Sequence, residues 1–358
     1  MRYLLASLIF VCAMVNRAEA MPRDWRDVDL GQAVVEGVAD SENIWLRGGT
    51  GKVVQFVRST GARRVIAENV VDLLFDNDRV WALARRGETG NYYVVDLRNP
   101  ESAAAVGAEQ RQGDRYLHPG EDAEGQVLGL VIWPGLDRPV IVSQRGLLPL
   151  ASGGTRQSFA ASLAPYGHLA ATSDRSLYVG YNRGEWGGGL RHVDLRSGVI
   201  SFVAPQVDKP CEGILNPACA PIVGLFPDRQ TPGCLIVGSG ISHLGISRGE
   251  VYRVCDSNIE VMFSTPTPCV ADRWMIGPQP WPLDGLFEVS GGWVGTSRDR
   301  YFRSYGTRVE ELPMPTFQDW AGLKISEEQD GVLFMISACC WGSADNPTLY
   351  RAIAIPVR

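Results

Sequence analysis

Residues 181–189 read Tyr-Asn-Arg-Gly-Glu-Trp-Gly-Gly-Gly, which sets Arg183, Glu185 and Trp186 immediately before three glycines. Glycine accepts positive φ and close backbone approach. The run therefore reads as a turn that displays an indole and an Arg–Glu pair to a ligand. The competing reading is a wide hairpin turn whose glycines serve geometry alone. Arg298-Asp299, His243, Trp341 and Asp345 supply similar chemistry elsewhere in the chain. Guanidinium pairs bidentately with carboxylate or phosphate, so Arg47, Arg85, Arg86, Arg183 and Arg298 could ring an anion. Against that, Lys52, Lys209 and Lys324 are the only lysines, so arginine abundance is a property of the whole chain. Two carboxylates could also act as acid and base on a glycosidic bond, with Glu185 paired to Asp299 or Asp345, provided they lie within several ångström of each other. Spacing alone assigns no catalytic residue.

Cysteine and histidine point less clearly to chemistry. Of the eight cysteines, seven lie beyond residue 200, an odd number. Cys211 and Cys219 bracket a short loop that a disulfide would staple, and Cys234 and Cys255 sit near opposite ends of one expected hairpin. Adjacent Cys339 and Cys340 either bond to each other or pair separately with Cys269. No Cys-x-x-Cys pair occurs and the four histidines are scattered, so no metal site is expected. His168 and His192 fall in or beside expected strands, His118 precedes Pro119 in a turn, and His243 alone stands near the candidate site. Without a Gly-x-Ser-x-Gly elbow, a phosphate loop or a dinucleotide fingerprint in its strand-to-helix context, no cofactor is expected.

What positions these residues is a repeat. Seven times an extended run and a polar turn lead into an apolar strand: Val38-Ala39-Asp40 into Asn43, Leu74-Phe75-Asp76 into Arg79, Glu121-Asp122-Ala123 into Val127, and Thr172-Ser173-Asp174 into Ser176. Phe226-Pro227-Asp228 into Cys234, Phe287-Glu288-Val289 into Gly292, and Ile325-Ser326-Glu327 into Val332 complete the series. Strand-only repeats at intervals of about 40 to 50 residues are the signature of a β-propeller. Period-two alternation divides each unit into strands a to d, innermost to outermost. The second unit reads 71–75, 79–84, 92–97 and 103–106, and the third takes Val127-Leu128-Gly129 as its strand b.

The turns Asp96-Leu97-Arg98-Asn99-Pro100 and Asp194-Leu195-Arg196-Ser197-Gly198 fall between strands c and d and carry the residues a tight turn needs. They resemble the Asp-Leu-x-Ser/Thr-Gly element of many bacterial exported propellers. That resemblance implies the architecture and no named subfamily, since WD40, kelch and sialidase signatures are missing. In a four-stranded meander the b–c loops and d–a connections emerge on one face. Arg183, Glu185, Trp186, His243, Arg298, Asp299, Trp341 and Asp345 all fall there, together with the Pro-rich stretch 265–282 that carries Trp274 and Trp281. A loop-rich, aromatic face on a rigid scaffold is where ligands bind.

The last unit ends after residues 349–355 without an outer strand, while residues 24–30 lie unused ahead of the first. The N-terminal segment is expected to complete the final blade and remove an open edge. Residues 1–20 read as a signal peptide: Arg2, an apolar core at 4–15, then Ala18-Glu19-Ala20. The core is too short to span a bilayer, and Phe10-Val11 before Cys12 do not suit lipid attachment. The whole chain carries −6; without Arg2, Arg17 and Glu19 the remainder carries −7. A mildly acidic chain without basic clusters suits neither nucleic acid nor an anionic membrane. The expectation is an all-β, seven-bladed propeller, six blades being the alternative, forming one domain over 21–358. It is exported to the periplasm or beyond, keeps no membrane anchor, and binds a small-molecule, glycan or protein ligand. The alternative function is a propeller hydrolase or lyase acting on a glycan.

Overall fold

The computed structural model describes residues 26–29, 34–39, 42–99, 127–148, 157–207, 212–267, 279–313, 323–328, 331–337 and 349–356. Within these spans, residues 58, 77–78, 87–90, 137–138, 166, 174, 244–245, 257, 290 and 298–299 are excepted. The described chain is all-β apart from one 3-10 turn, Gly184–Trp186.

It forms seven antiparallel sheets, six of four strands and one of three. Sheet I holds Val34–Ala39, Asn43–Gly48, Val53–Val57 and Arg63–Ala67, and sheet II holds Val70–Asp76, Arg79–Arg86 and Asn91–Asp96. Sheet III holds Val127–Val131, Val140–Ser143, Gly146–Leu148 and Gln157–Ser158, and sheet IV holds Gly167–Ser173, Ser176–Asn182, Gly188–Asp194 and Ile200–Phe202. Sheet V holds Ile222–Pro227, Leu235–His243, Ile246–Cys255 and Asn258–Ser264, and sheet VI holds Gly285–Val289, Gly292–Ser297, Arg300–Tyr305 and Arg308–Pro313. Sheet VII combines Leu323–Glu328, Gly331–Ser337 and Leu349–Pro356 with the N-terminal strand Arg26–Asp29.

The first strand of each sheet is its innermost, except that Arg26–Asp29 lies outermost in sheet VII. Contacts between inner strands run from sheet I through VII and back to I, closing a ring. This is a β-propeller. Carboxylates tie neighbouring inner strands at two seams: Glu36 accepts from the Leu73 N–H at 3.0 Å, and Asp72 accepts from the Leu130 N–H at 2.6 Å. The ends close as the sequence suggests, Arg26 standing opposite Ala352 and Asp29 opposite Leu349.

Strand alternation builds the layers between sheets. In strand b of sheet IV, Leu177, Val179 and Tyr181 pack with Val142, Leu147 and Phe159 of the sheet III side. Tyr178 points the other way, joining Leu190, Ile222, Leu235 and Tyr252 toward sheet V. Gly180 stays small because a Cβ there would lie 2.5 Å from the Ile222 side chain, so sheets IV and V approach closely.

Val127-Leu128-Gly129 belongs to strand a of sheet III, not strand b: it pairs only with Val140–Ser143 and faces the inner strands of sheets II and IV. Gly129 has a φ of 157° and its missing Cβ leaves room for Asp72. That inter-sheet contact leaves no trace in the hydrophobic period. The assigned outer strand 103–106 of the second unit lies outside the described residues.

Candidate functional site

The b–c turn of sheet IV is fixed by backbone bonds. Arg183 N–H donates to the Gly187 carbonyl at 2.8 Å, and Gly184 N–H donates to Asn182 Oδ1 at 2.9 Å. The turn then docks on the d–a connection leading to sheet V: Gly188 N–H reaches the Pro217 carbonyl and Gly189 N–H the Ala220 carbonyl, both at 2.9 Å. Gly187 has a φ of 75°, and a Cβ on it would lie 2.4 Å from the Pro217 oxygen. Packing against residues 217–220 accounts for Gly187 and Gly189, and close approach to the Tyr181 backbone accounts for Gly188. Packing does not account for Trp186, which stays 76% exposed at the tip. Arg183 beside it is exposed as well.

Charge on this face is mostly internally answered. Arg47 Nε binds Glu36 Oε2 at 2.7 Å, and Arg248 Nε binds Glu250 Oε2 at 2.8 Å. Arg300 pairs with Glu311 and stacks over Trp281, 4.1 Å from the ring centroid. Glu250 also accepts from the buried Tyr252 hydroxyl, and burial first, then that bond, pushes this phenol above its ordinary range. Arg47, Arg85, Tyr92 and Asn69 line a pocket of about 400 Å³ between sheets I, II and III. Burial raises the Tyr92 hydroxyl's pKa, and the Arg85 charge opposes that rise.

A larger cavity, about 480 Å³, opens at the opposite end, among the a–b and c–d turns. Four of its charged groups stand in two ion pairs. Arg253 Nε binds the buried Asp228 Oδ2 at 2.7 Å, which raises the guanidinium's pKa, and Arg229 pairs with Glu288. Asp228 Oδ1 accepts in addition from the Gln230 N–H at 2.8 Å. The sequence marks no site here: Phe226-Pro227-Asp228 and Phe75-Asp76 belong to the repeat's turns, and those same turns line this cavity.

Of the sequence candidates, Arg183 and Trp186 are brought together on one turn. Glu185 lies in the same 3-10 turn, and His243 ends strand b of sheet V on the same face. Arg298, Asp299, Trp341 and Asp345 lie outside the described residues, as do Arg86's loop beyond residue 86, Trp274, His118, Cys211, Cys269, Cys339 and Cys340. Cys234 and Cys255 form a disulfide across the sheet V hairpin, their Cα atoms 4.4 Å apart. Cys219 is also disulfide-bonded. His192 packs against the Tyr178 ring at 4.9 Å and shares a hydrogen bond with Ser176 Oγ at 3.1 Å. Among the described residues no three His, Cys, Asp or Glu side chains gather at metal-binding distance, and no helix is long and apolar enough to cross a membrane.

No protein-family model and no curated protein matches the chain. Solved structures match its fold. An oligogalacturonate lyase in complex with manganese superposes with a TM-score of 0.52 at 10% identity, over 93% of this chain and 92% of its own. The oligogalacturonate lyase of Vibrio parahaemolyticus gives 0.51 at 11% identity, over 94% and 92%. A xyloglucanase of Xanthomonas campestris aligns more loosely, with a TM-score of 0.45 at 16% identity, over 85% of this chain and 51% of its own. At these identities the likeness is one of fold.

Proposed function

We propose that the chain is an exported, seven-bladed propeller that binds a small-molecule, glycan or protein ligand on its loop-rich face, with the Trp186 turn as the contact point. The observation that carries this reading is Trp186 itself: a 76% exposed indole on a turn whose backbone is pinned to its neighbour. An indole left in water gains nothing for the fold, and aromatic side chains held rigidly at a surface recur where ligands and partners dock. Glu185, His243, Arg298, Asp299, Trp341 and Asp345 complete the proposed face. Each of the seven sheets counts as one blade, with 103–106 as the outer strand of the second. Residues 1–20 act as the export signal, in keeping with the Cys234–Cys255 disulfide, since such bonds persist in oxidising compartments.

A thermal-shift screen of the chain from residue 21 against sugars, oligosaccharides and organic anions tests the reading, because a ligand of the native state raises Tm. The reading expects a shift that Trp186→Ala abolishes. A shift untouched by Trp186→Ala places the site elsewhere.

The second reading is a glycan-acting enzyme, drawn from the fold shared with two oligogalacturonate lyases. Its catalytic groups would come from Glu185, Asp299 and Asp345. Polygalacturonate cleaved by the wild type, and left intact by Glu185→Gln, would establish it.

A further inference from the structure

Arg47, Arg248 and Arg300 on the loop-rich face each meet a glutamate. Arg183 and Arg191 differ: no described carboxylate pairs with either. Arg191 emerges from strand c of sheet IV, and its guanidinium lies 3.3 Å from the Phe202 ring centroid and 5.9 Å from that of Tyr181. One of its nitrogens donates to the Gly188 carbonyl at 3.5 Å. Half-burial lowers the Arg191 pKa, the nearby Tyr181 opposes that fall, and the Arg183 charge adds a smaller lowering effect. The Tyr181 hydroxyl senses both guanidiniums. The Arg183 charge disfavours the partly desolvated charge of Arg191. A bound anion removes that repulsion and supplies charge-assisted hydrogen bonds.

We propose that the Trp186 turn takes an anionic ligand: a carboxylate or phosphate group held by Arg183 and Arg191, on a ring-shaped body that stacks on Trp186. This rests on the reading of Trp186 as the contact point and adds its ligand class. Phe202, 42% exposed and in contact with Arg191, offers further apolar surface next to that guanidinium. The face thus joins an anion clamp to an aromatic platform, a pairing suited to an acidic sugar.

Calorimetric titration with D-glucuronate, D-glucose and inorganic phosphate tests the proposal. Glucuronate is expected to bind about tenfold more tightly than glucose at low salt, the advantage of one charge-assisted contact. Phosphate is expected to compete with glucuronate, and 0.5 M NaCl to shrink the preference, since screening is strong at that ionic strength. Arg183→Gln, on an exposed position, is expected to erase the preference and leave Tm unchanged. Equal affinity for glucuronate and glucose, with both lost in Trp186→Ala, overturns the anion clamp and leaves the contact point standing. Binding that survives Trp186→Ala overturns the contact point. Silence toward both glucuronate and phosphate, or a preference that survives Arg183→Gln, also overturns the clamp.

Discussion

Gly187→Ala and Trp186→Ala change adjacent residues of one turn, yet the structure predicts opposite outcomes for stability. Gly187 sits at φ 75° and ψ −128°, a backbone state that an L side chain adopts only under strain of about 1–3 kcal/mol. The added Cβ would stand 2.4 Å from the Pro217 oxygen and 2.5 Å from the Ala218 carbonyl carbon. Relief requires the turn to separate from residues 217–220. That separation breaks the bonds from Gly188 N–H to Pro217 and from Gly189 N–H to Ala220, a further loss of about 1–3 kcal/mol. The total is about 2–6 kcal/mol. Trp186→Ala removes a side chain already mostly in water, so its expected change is within about 0.5 kcal/mol. Urea unfolding followed by circular dichroism, with disulfides intact, measures both. A Gly187→Ala protein as stable as the parent would refute the docking of this turn. A Trp186→Ala protein that loses several kcal/mol would refute the reading of the indole as a free contact surface.

Deleting residues 21–30 removes the strand that pairs with Leu349–Pro356, and Tm is expected to fall clearly; an unchanged Tm would deny the closure any energetic role. Replacing Cys234 and Cys255 by serine opens a link across a sequence separation of 21 residues, for which loop entropy predicts a loss of about 3 kcal/mol, read as a lower urea midpoint. Burial lowers the His192 pKa below 6.5 against the raising effects of Asp194 and Asp256. Because the unfolded chain then binds the proton first, stability is full above about pH 6.5 and declines as pH falls through the folded pKa, no more steeply than about 1.4 kcal/mol per pH unit. His192→Gln is expected to flatten that part of the stability profile; an unaltered profile would assign the acid sensitivity to other groups.

The repeat made much of this fold legible. Strands such as Ser176–Asn182 are short apolar runs, buried on both faces, between turns that carry Asp, Asn and Gly, so their extended conformation could be read along the chain. Even the closure followed from counting: an unpaired strand at one end and a missing strand at the other. Sheet III escaped because its inner strand is marked by Gly129 fitting under Asp72, a contact made across sheets. The site was legible in part. The exposed indole at Trp186 announced itself by its place in a turn, whereas the glycines after it serve the d–a connection at Gly187 and Gly189 and the hairpin itself at Gly188. Arg191 gave no signal, because it lies within a strand and its significance comes from Phe202, Tyr181 and Arg183, which the chain brings together only on folding. The cavity at the opposite end was hidden for the same reason, its Asp228–Arg253 pair spanning 25 residues.

The most direct test of the central claim is a glycan-array comparison of the chain from residue 21 with its Trp186→Ala variant, both first shown to have the same Tm. The account predicts that the parent retains a defined set of glycans, acidic members foremost, and that the variant loses them. An identical binding profile for the two proteins would contradict it.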